Sequence, residues 1–331
     1  MKTRVKSGLL MAPLLVVVWI GGYALLAACV VLSVFAVREF YRAFETATIG
    51  ADRPIKPSFK VGVAGVILLY SVVIGDSLWF IIVVVMCFAM LLMNDKRSVT
   101  DSLVTMAGLF YVVYFICFIY RTDTSFSPYF IYSISEDRSV FESALASGNV
   151  PNQFTPYIHG FKNNFVWLIV FSAFATDIFA FFIGRSIGRH KIAPKLSPKK
   201  TVEGCIGGVV GSVLVCGLFG YFAIPEFFIH CVVIGALGGV VSQFGDLTAS
   251  AIKRRLGMKD YGTLIPGHGG LLDRIDSLLF TAPLVYLYLS IVSGWTLNGD
   301  MKTPVFEYLW ESMNGTVDPS VFDILGRQFG M

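Results

Sequence analysis

At 331 residues, 55% hydrophobic and only 15% charged, with a mean hydropathy of +0.71, the chain carries more apolar surface than a soluble domain needs. This composition excludes a water-soluble fold and calls for repeated apolar spans of about 20 residues in a bilayer. The net charge of +4 clusters in short loops rather than forming a stripe, a pattern of membrane topology and not of nucleic-acid binding.

The chain opens on MKTRVKSG and then runs apolar from Gly8 to Val37. Such a start resembles a secretory signal, and Leu26-Ala27-Ala28-Cys29 has the form of a lipoprotein cleavage box. The apolar run continues well past Cys29, so the segment is expected to stay in the membrane. Trp19-Ile20-Gly21-Gly22 interrupts it, leaving either one long span or two short ones hinged at the glycines. Further spans are expected at Lys60–Ile74, Leu78–Met93, Leu103–Tyr120, Asn164–Ile187, Cys205–Phe222, Phe227–Arg255 and Leu271–Val292. The six cysteines all fall in apolar segments without CxxC spacing, as small core residues rather than a disulfide framework or a zinc site.

Loop charge decides between one first span and two. With the N-terminus inside and two spans, 21 of the 26 Lys and Arg lie inside: three before Gly8, five in Arg38–Lys60, two at Lys96-Arg97, six in Arg185–Lys200 and five in Lys253–Arg274. That is the positive-inside pattern. The expected fold is an all-α polytopic membrane protein of about nine transmembrane helices, with a cytoplasmic N-terminus. Four regions follow: N-terminal helices at 1–120, an extracytoplasmic polar loop at 121–163, a catalytic transmembrane region at 164–292 and a tail at 293–331.

Two inside loops carry the chemistry. One, Arg185–Glu203, holds six cations with Ser197, Pro198 and Thr201. Proline keeps it out of helix, and its hydroxyls, amides and ammonium groups suit a triphosphate. It has no GxxxxGK[ST] match, so it is not a P-loop. The other, Ser250 to Asp276, places Pro266-Gly267-His268-Gly269-Gly270 among five cations and the aspartates Asp260, Asp273 and Asp276. Asp273 and Asp276 are three apart at the start of a span, and Asp246 and Ser250 four apart on the span before, each pair on one helical face. Carboxylates from two helices meeting at one place can hold a divalent cation against a phosphate. Asp177 lies within an apolar span, where an ionisable group is costly and points to function.

The run Ser250-x-x-Lys253-Arg254, Lys259-Asp260, Pro266-Gly267-His268-Gly269-Gly270 and Asp273-Arg274-x-Asp276 resembles the signature of phosphatidate cytidylyltransferases, the CDP-diacylglycerol synthases. Ser197-Pro198-Lys199-Lys200-Thr201-x-Glu203-Gly204 and Thr176-Asp177-x-x-Ala180-Phe181-x-x-Gly184 resemble two further blocks of that family. The resemblance implies transfer of CMP from CTP to phosphatidic acid, giving CDP-diacylglycerol and pyrophosphate. It implies a magnesium centre on Asp246 and Asp273, with Asp276 as ligand or support and the number of ions left open. By the same resemblance Ser197, Lys199, Lys200 and Thr201 bind CTP, and Glu203 supports the metal or the base. Lys253, Arg254, Lys259 and Arg274 hold phosphates, with Ser250 and Asp260 beside them. His268 orients or protonates pyrophosphate, and Asp177 stands at the site's edge. The partners implied are CTP, phosphatidic acid and membrane lipid, with a homodimer allowed and no nucleic acid. The implied setting is a bacterial inner membrane with the site facing the cytoplasm. A CTP-dependent polyprenol or phytol kinase would share these loops and attack the γ-phosphorus instead. An ion-coupled transporter would account for Asp177, Asp246 and the glycines of Gly235–Gly245 but not for the polar loops.

Overall fold

A computed structural model describes residues 15–47, 54–71, 76–92, 97–125, 164–194, 196–262 and 269–293. Most of the polar excursion before Asn164 and the tail after Ser293 therefore lie outside the described residues.

Residues 15–20 are helical, and the helix stops at Gly21. Gly21 and Gly22 have φ of 65° and 54°, a conformation that only glycine adopts cheaply, so the break falls where the sequence places it. Helix α1 (Gly22–Thr46) then begins, its first amide donating to Asp123 at 2.8 Å. Helix α2 (Phe59–Tyr70) is capped by Ser58, and α3 (Asp76–Leu92) follows. Helix α4 (Val99–Gly108) opens on a capping box of Ser98 and Asp101. It passes through a π-helical turn (Leu109–Tyr114) into α5 (Phe115–Ser125). Tyr41 inserts where the π turn begins: its hydroxyl donates to the Thr105 carbonyl at 2.6 Å, and its ring fills the space a Cβ on Gly108 would need. The same Thr105 carbonyl also accepts from the Leu109 amide, so Tyr41 docks against the start of the π turn while the helix ladder holds there.

Helix α6 (Asn164–Ile187) leads into a small antiparallel hairpin of β1 (Lys191–Ala193) and β2 (Ser197–Thr201), paired Lys191 to Thr201 and Ala193 to Ser197. Helix α7 (Val202–Ala223), a 3-10 turn (Pro225–Phe227), α8 (Phe228–Arg255) and α9 (Leu272–Ser293) complete the described chain. The hairpin departs from the purely helical, irregular-loop expectation. Its two strands are both edges, so Pro198 costs no ladder bond there.

Among the described residues six helices are long and apolar enough to cross a membrane: Gly22–Thr46, Val99–Thr124, Phe165–Ile187, Val202–Ala223, Phe228–Arg255 and Leu272–Val292. The α2 and α3 helices are apolar but shorter. Helix α7 shows why these segments pack in lipid. Ile206, Val210, Leu214 and Leu218, each four apart, are exposed, a stripe that water would penalise and acyl chains would not. The buried face beside it is rich in glycine. A Cβ on Gly211 would lie 2.2 Å from Phe179 and one on Gly207 2.4 Å from Ile183, so α7 rests backbone-close on α6. Gly235 and Gly239 bring α8 as near to α7, and Gly245 sets α8 against the Asp276 carbonyl of α9. Small residues replace the hydrophobic effect as the means of association where the solvent is itself apolar. One compact unit takes residues 1–127 and 157–285, and a second takes 128–156 and 286–331. Of the second, only residues 286–293, the end of α9, are described.

Candidate active site

The site grows from the hairpin and the helix ends around it. Thr201 is the N-cap of α7: its hydroxyl accepts from the Gly204 amide at 3.1 Å and is crowded by Gly184, Gly188 and Gly204. Glu203, in the first turn, accepts from the amides of Arg189 at 3.0 Å and His190 at 3.2 Å, and meets the His190 ring Nδ1 at 2.6 Å. These bonds close the base of the hairpin. They give Glu203 a loop-holding position. Beyond the cap, Lys199 is exposed on β2 and Ser197 is half-buried. Lys200, at the end of the same strand, reaches α8, with its Nζ 2.6 Å from Asp246 Oδ2.

On α8 the residues Asp246, Ser250 and Lys253 rise along one face, as their spacing of four and three requires. Ser250 Oγ lies 3.3 Å from Asp246 Oδ1. Lys253 Nζ donates to Asp273 Oδ1 at 2.6 Å, the two side chains only 10% and 3% exposed, and the ammonium also sits 5.3 Å from the Tyr261 ring centre. Asp273 Oδ2 accepts from the amides of Tyr261 at 2.8 Å and Gly270 at 3.0 Å. Asp273 is thus the knot that ties the loop after α8 to the start of α9. Burial pushes the Tyr261 phenol well above its ordinary pKa, its hydroxyl lying against the Ala249 carbonyl. Arg254 Nε donates to the Leu196 carbonyl at 3.3 Å and Nη1 to Met258 at 3.1 Å. The bond to Leu196 joins the two loops the sequence singled out.

One turn beyond Asp273, Asp276 is buried and accepts from the Ser277 amide at 2.9 Å. The Ser277 hydroxyl donates in turn to Asp177 on α6 at 3.0 Å. Asp177, Asp246 and Asp276 lie within electrostatic reach of one another, with Lys200, Lys253 and Arg274 as the nearby cations. Lys259, Asp260 and Arg274 are exposed. Gly269, with φ of 83°, supplies a turn beside Asp260 and Asp273 that a larger residue would strain. His268 lies outside the described residues.

Sequence reasoning missed Glu39. It stands on α1, 8% exposed, and its Oε2 accepts from the Leu272 amide at 2.9 Å across 233 positions. A carboxylate at a helix N-terminus satisfies an orphan amide and faces the positive end of the dipole. Gly262 and Gly270 press on the same carboxylate, and its Oε1 has no hydrogen-bond partner among the described residues. The signal was masked because the apolar run ends at Val37, so Glu39 reads as the start of a charged loop. The helix in fact continues to Thr46.

Among the described residues no three His, Cys, Asp or Glu side chains could cage an ion unaided. Magnesium needs less, since it is held by one or two carboxylates plus substrate phosphates, and Asp246 with its neighbouring carboxylates offers the hard oxygens it prefers. Both Asp273 oxygens accept hydrogen bonds, so Lys253 competes with an ion for Asp273 Oδ1.

The description "cytidylyltransferase family" belongs to the family model that matches residues 2–292. A phosphatidate cytidylyltransferase of Synechocystis is 33% identical over 287 residues, covering 82% of this chain and 90% of that protein. One from Bacillus subtilis is 43% identical over 120 residues, 36% of this chain and 45% of the relative. One from Brucella abortus is 36% identical over 157 residues, 45% and 52% of the two chains.

Proposed function

The chain belongs to the cytidylyltransferase family, and on that premise we propose that this integral membrane enzyme transfers CMP from CTP to phosphatidic acid. A phosphate oxygen of phosphatidic acid attacks the α-phosphorus of CTP. The new P–O bond forms as the bond to the β-phosphate oxygen breaks, leaving CDP-diacylglycerol and pyrophosphate. The attacking oxygen is already anionic, so the protein has to position two anions and offset their charge rather than supply a strong base.

The observation that supports this assignment of roles is the pairing of Lys200 with Asp246 and of Lys253 with Asp273, each at 2.6 Å, in two loops that Arg254 ties together. Lys200 and Lys253 exchange their carboxylate partners for phosphate oxygens when substrates arrive, which frees Asp246 and Asp273. Those two residues would hold magnesium, with Asp276 beside them. The ion would neutralise charge on the phosphates. Lys199, Arg254, Lys259 and Arg274 line the triphosphate with further positive charge. Ser197, Ser250 and Asp260 lie beside it, and the family resemblance gives His268 the role of orienting or protonating the leaving pyrophosphate. Thr201 and Glu203 keep the hairpin in place, while Asp177 and Ser277 fix the lipid side. The acyl chains stay in the bilayer, and the site faces the cytoplasm of a bacterial inner membrane.

Purified protein in detergent with labelled CTP, magnesium and phosphatidic acid tests the reading. The expected products are CDP-diacylglycerol and pyrophosphate, with turnover falling at least a hundredfold (about 3 kcal/mol of barrier) in Asp246→Asn. CDP and a newly phosphorylated lipid alcohol would refute it.

A further inference from the structure

Tyr111 belongs to none of the sequence blocks that mark the site, yet the fold delivers it there. It occupies the π-helical turn Leu109–Tyr114, a widening of the kind often found at functional sites. Its ring is held by Phe40 of α1 at 5.9 Å, Phe115 of α5 at 6.1 Å and Phe280 of α9 at 5.9 Å between centroids. Phe40 follows Glu39, and Phe280 lies one turn beyond Asp276, so two of the three rings stand next to carboxylates of the site. The Tyr111 hydroxyl is shut off from the surface without a hydrogen-bond partner among the described residues. It nevertheless lies within electrostatic reach of both Asp246 and Asp276.

A buried phenol normally finds an acceptor, and one that does not calls for an explanation. The charged groups near it are Asp246 and Asp276, the carboxylates proposed above to hold and flank the ion that meets the phosphates. A bound phosphate there would present anionic oxygens close to carboxylates that repel them, and a neutral O–H donor aimed at such an oxygen offsets that repulsion without adding a charge to desolvate.

Resting on the cytidylyl-transfer reading, we infer that Tyr111 is a further substrate-contacting residue, its hydroxyl donating a hydrogen bond to an anionic phosphate oxygen of the reacting pair. The lipid phosphate is the favoured acceptor, because Tyr111 lies within the apolar span Val99–Thr124 whereas the cations for CTP sit on the hairpin and loop.

Tyr111→Phe removes the hydroxyl and keeps the ring packing, so a structural role predicts no change. The expected result is a rise of about tenfold or more in KM for phosphatidic acid, with KM for CTP and the thermal unfolding midpoint held. A rise in KM for CTP instead would give the same hydrogen bond to the nucleotide's phosphate. A fall in kcat alone would place the bond in the transition state. Wild-type kcat and both KM values in the variant would overturn the inference. Wild-type protein that makes no CDP-diacylglycerol would sink the proposed reaction and not this contact. The contact is read separately by calorimetric titration of short-chain phosphatidic acid and of CTP into wild type and Tyr111→Phe, where equal affinities in both proteins would overturn it.

Discussion

Lys253 and Asp273 form a buried ion pair whose two members depend on each other unequally. Asp273→Asn leaves an amide that can still accept from Tyr261 and Gly270, but it strands the Lys253 ammonium at 10% exposure. Breaking such a pair from one side costs about 3–5 kcal/mol, and thermal unfolding in detergent should show a loss of that size. Adding Lys253→Met removes the stranded charge, so the double variant is expected to regain most of the stability while remaining inactive. If it is no more stable than Asp273→Asn, the charge is not what matters. Glu39→Ala makes a second residue-scale prediction. The Leu272 amide loses its acceptor, a cost of about 1–3 kcal/mol, and turnover should fall with it as the start of α9 loosens. Single residues were legible in the sequence where spacing alone implied a shared helical face, as for Asp246, Ser250 and Lys253. They were illegible where the partner came from the far end of the chain, as for Glu39, or where a local π-helical turn delivers the residue, as for Tyr111.

Helices α6, α7 and α8 are joined by glycine rather than by large side chains. Gly211→Val would drive a side chain into Phe179, already 2.2 Å from where a Cβ would sit, and should destabilise the protein by at least the 1–3 kcal/mol of overpacking. Leu214→Ala, on the lipid-facing stripe of the same helix, should leave the unfolding midpoint within a degree or two (about 0.5 kcal/mol). Equal effects at the two positions would mean that the glycine face is not the packing face. The apolar runs themselves were readable from hydropathy, and the helix break from Gly21-Gly22. The hairpin was not. Its strands are short, polar and interrupted by Pro198, and what holds them is the Glu203 clamp on Arg189 and His190, a contact that leaves no periodic mark in sequence.

Charge asymmetry among the loops predicts one side of the membrane for the whole assembly. In a cysteine-free background, Lys199→Cys should react with a membrane-impermeant maleimide only after the cytoplasmic face is opened. Labelling of intact cells from outside would invert the topology. The six native cysteines are buried or half-buried, so their removal leaves the outer surface unchanged. The bond from Glu39 to Leu272 also has a meaning in time. A ribosome adding about 5–20 residues per second finishes α1 on the order of 10–50 s before the amide 233 positions later exists to receive it. For that interval a carboxylate destined for burial lacks the amide that it caps in the finished fold. The nascent chain must therefore shelter it in water, in a proton or in the insertion machinery, and a chain truncated before Leu272 should be cleared by membrane proteases faster than one truncated just after α9.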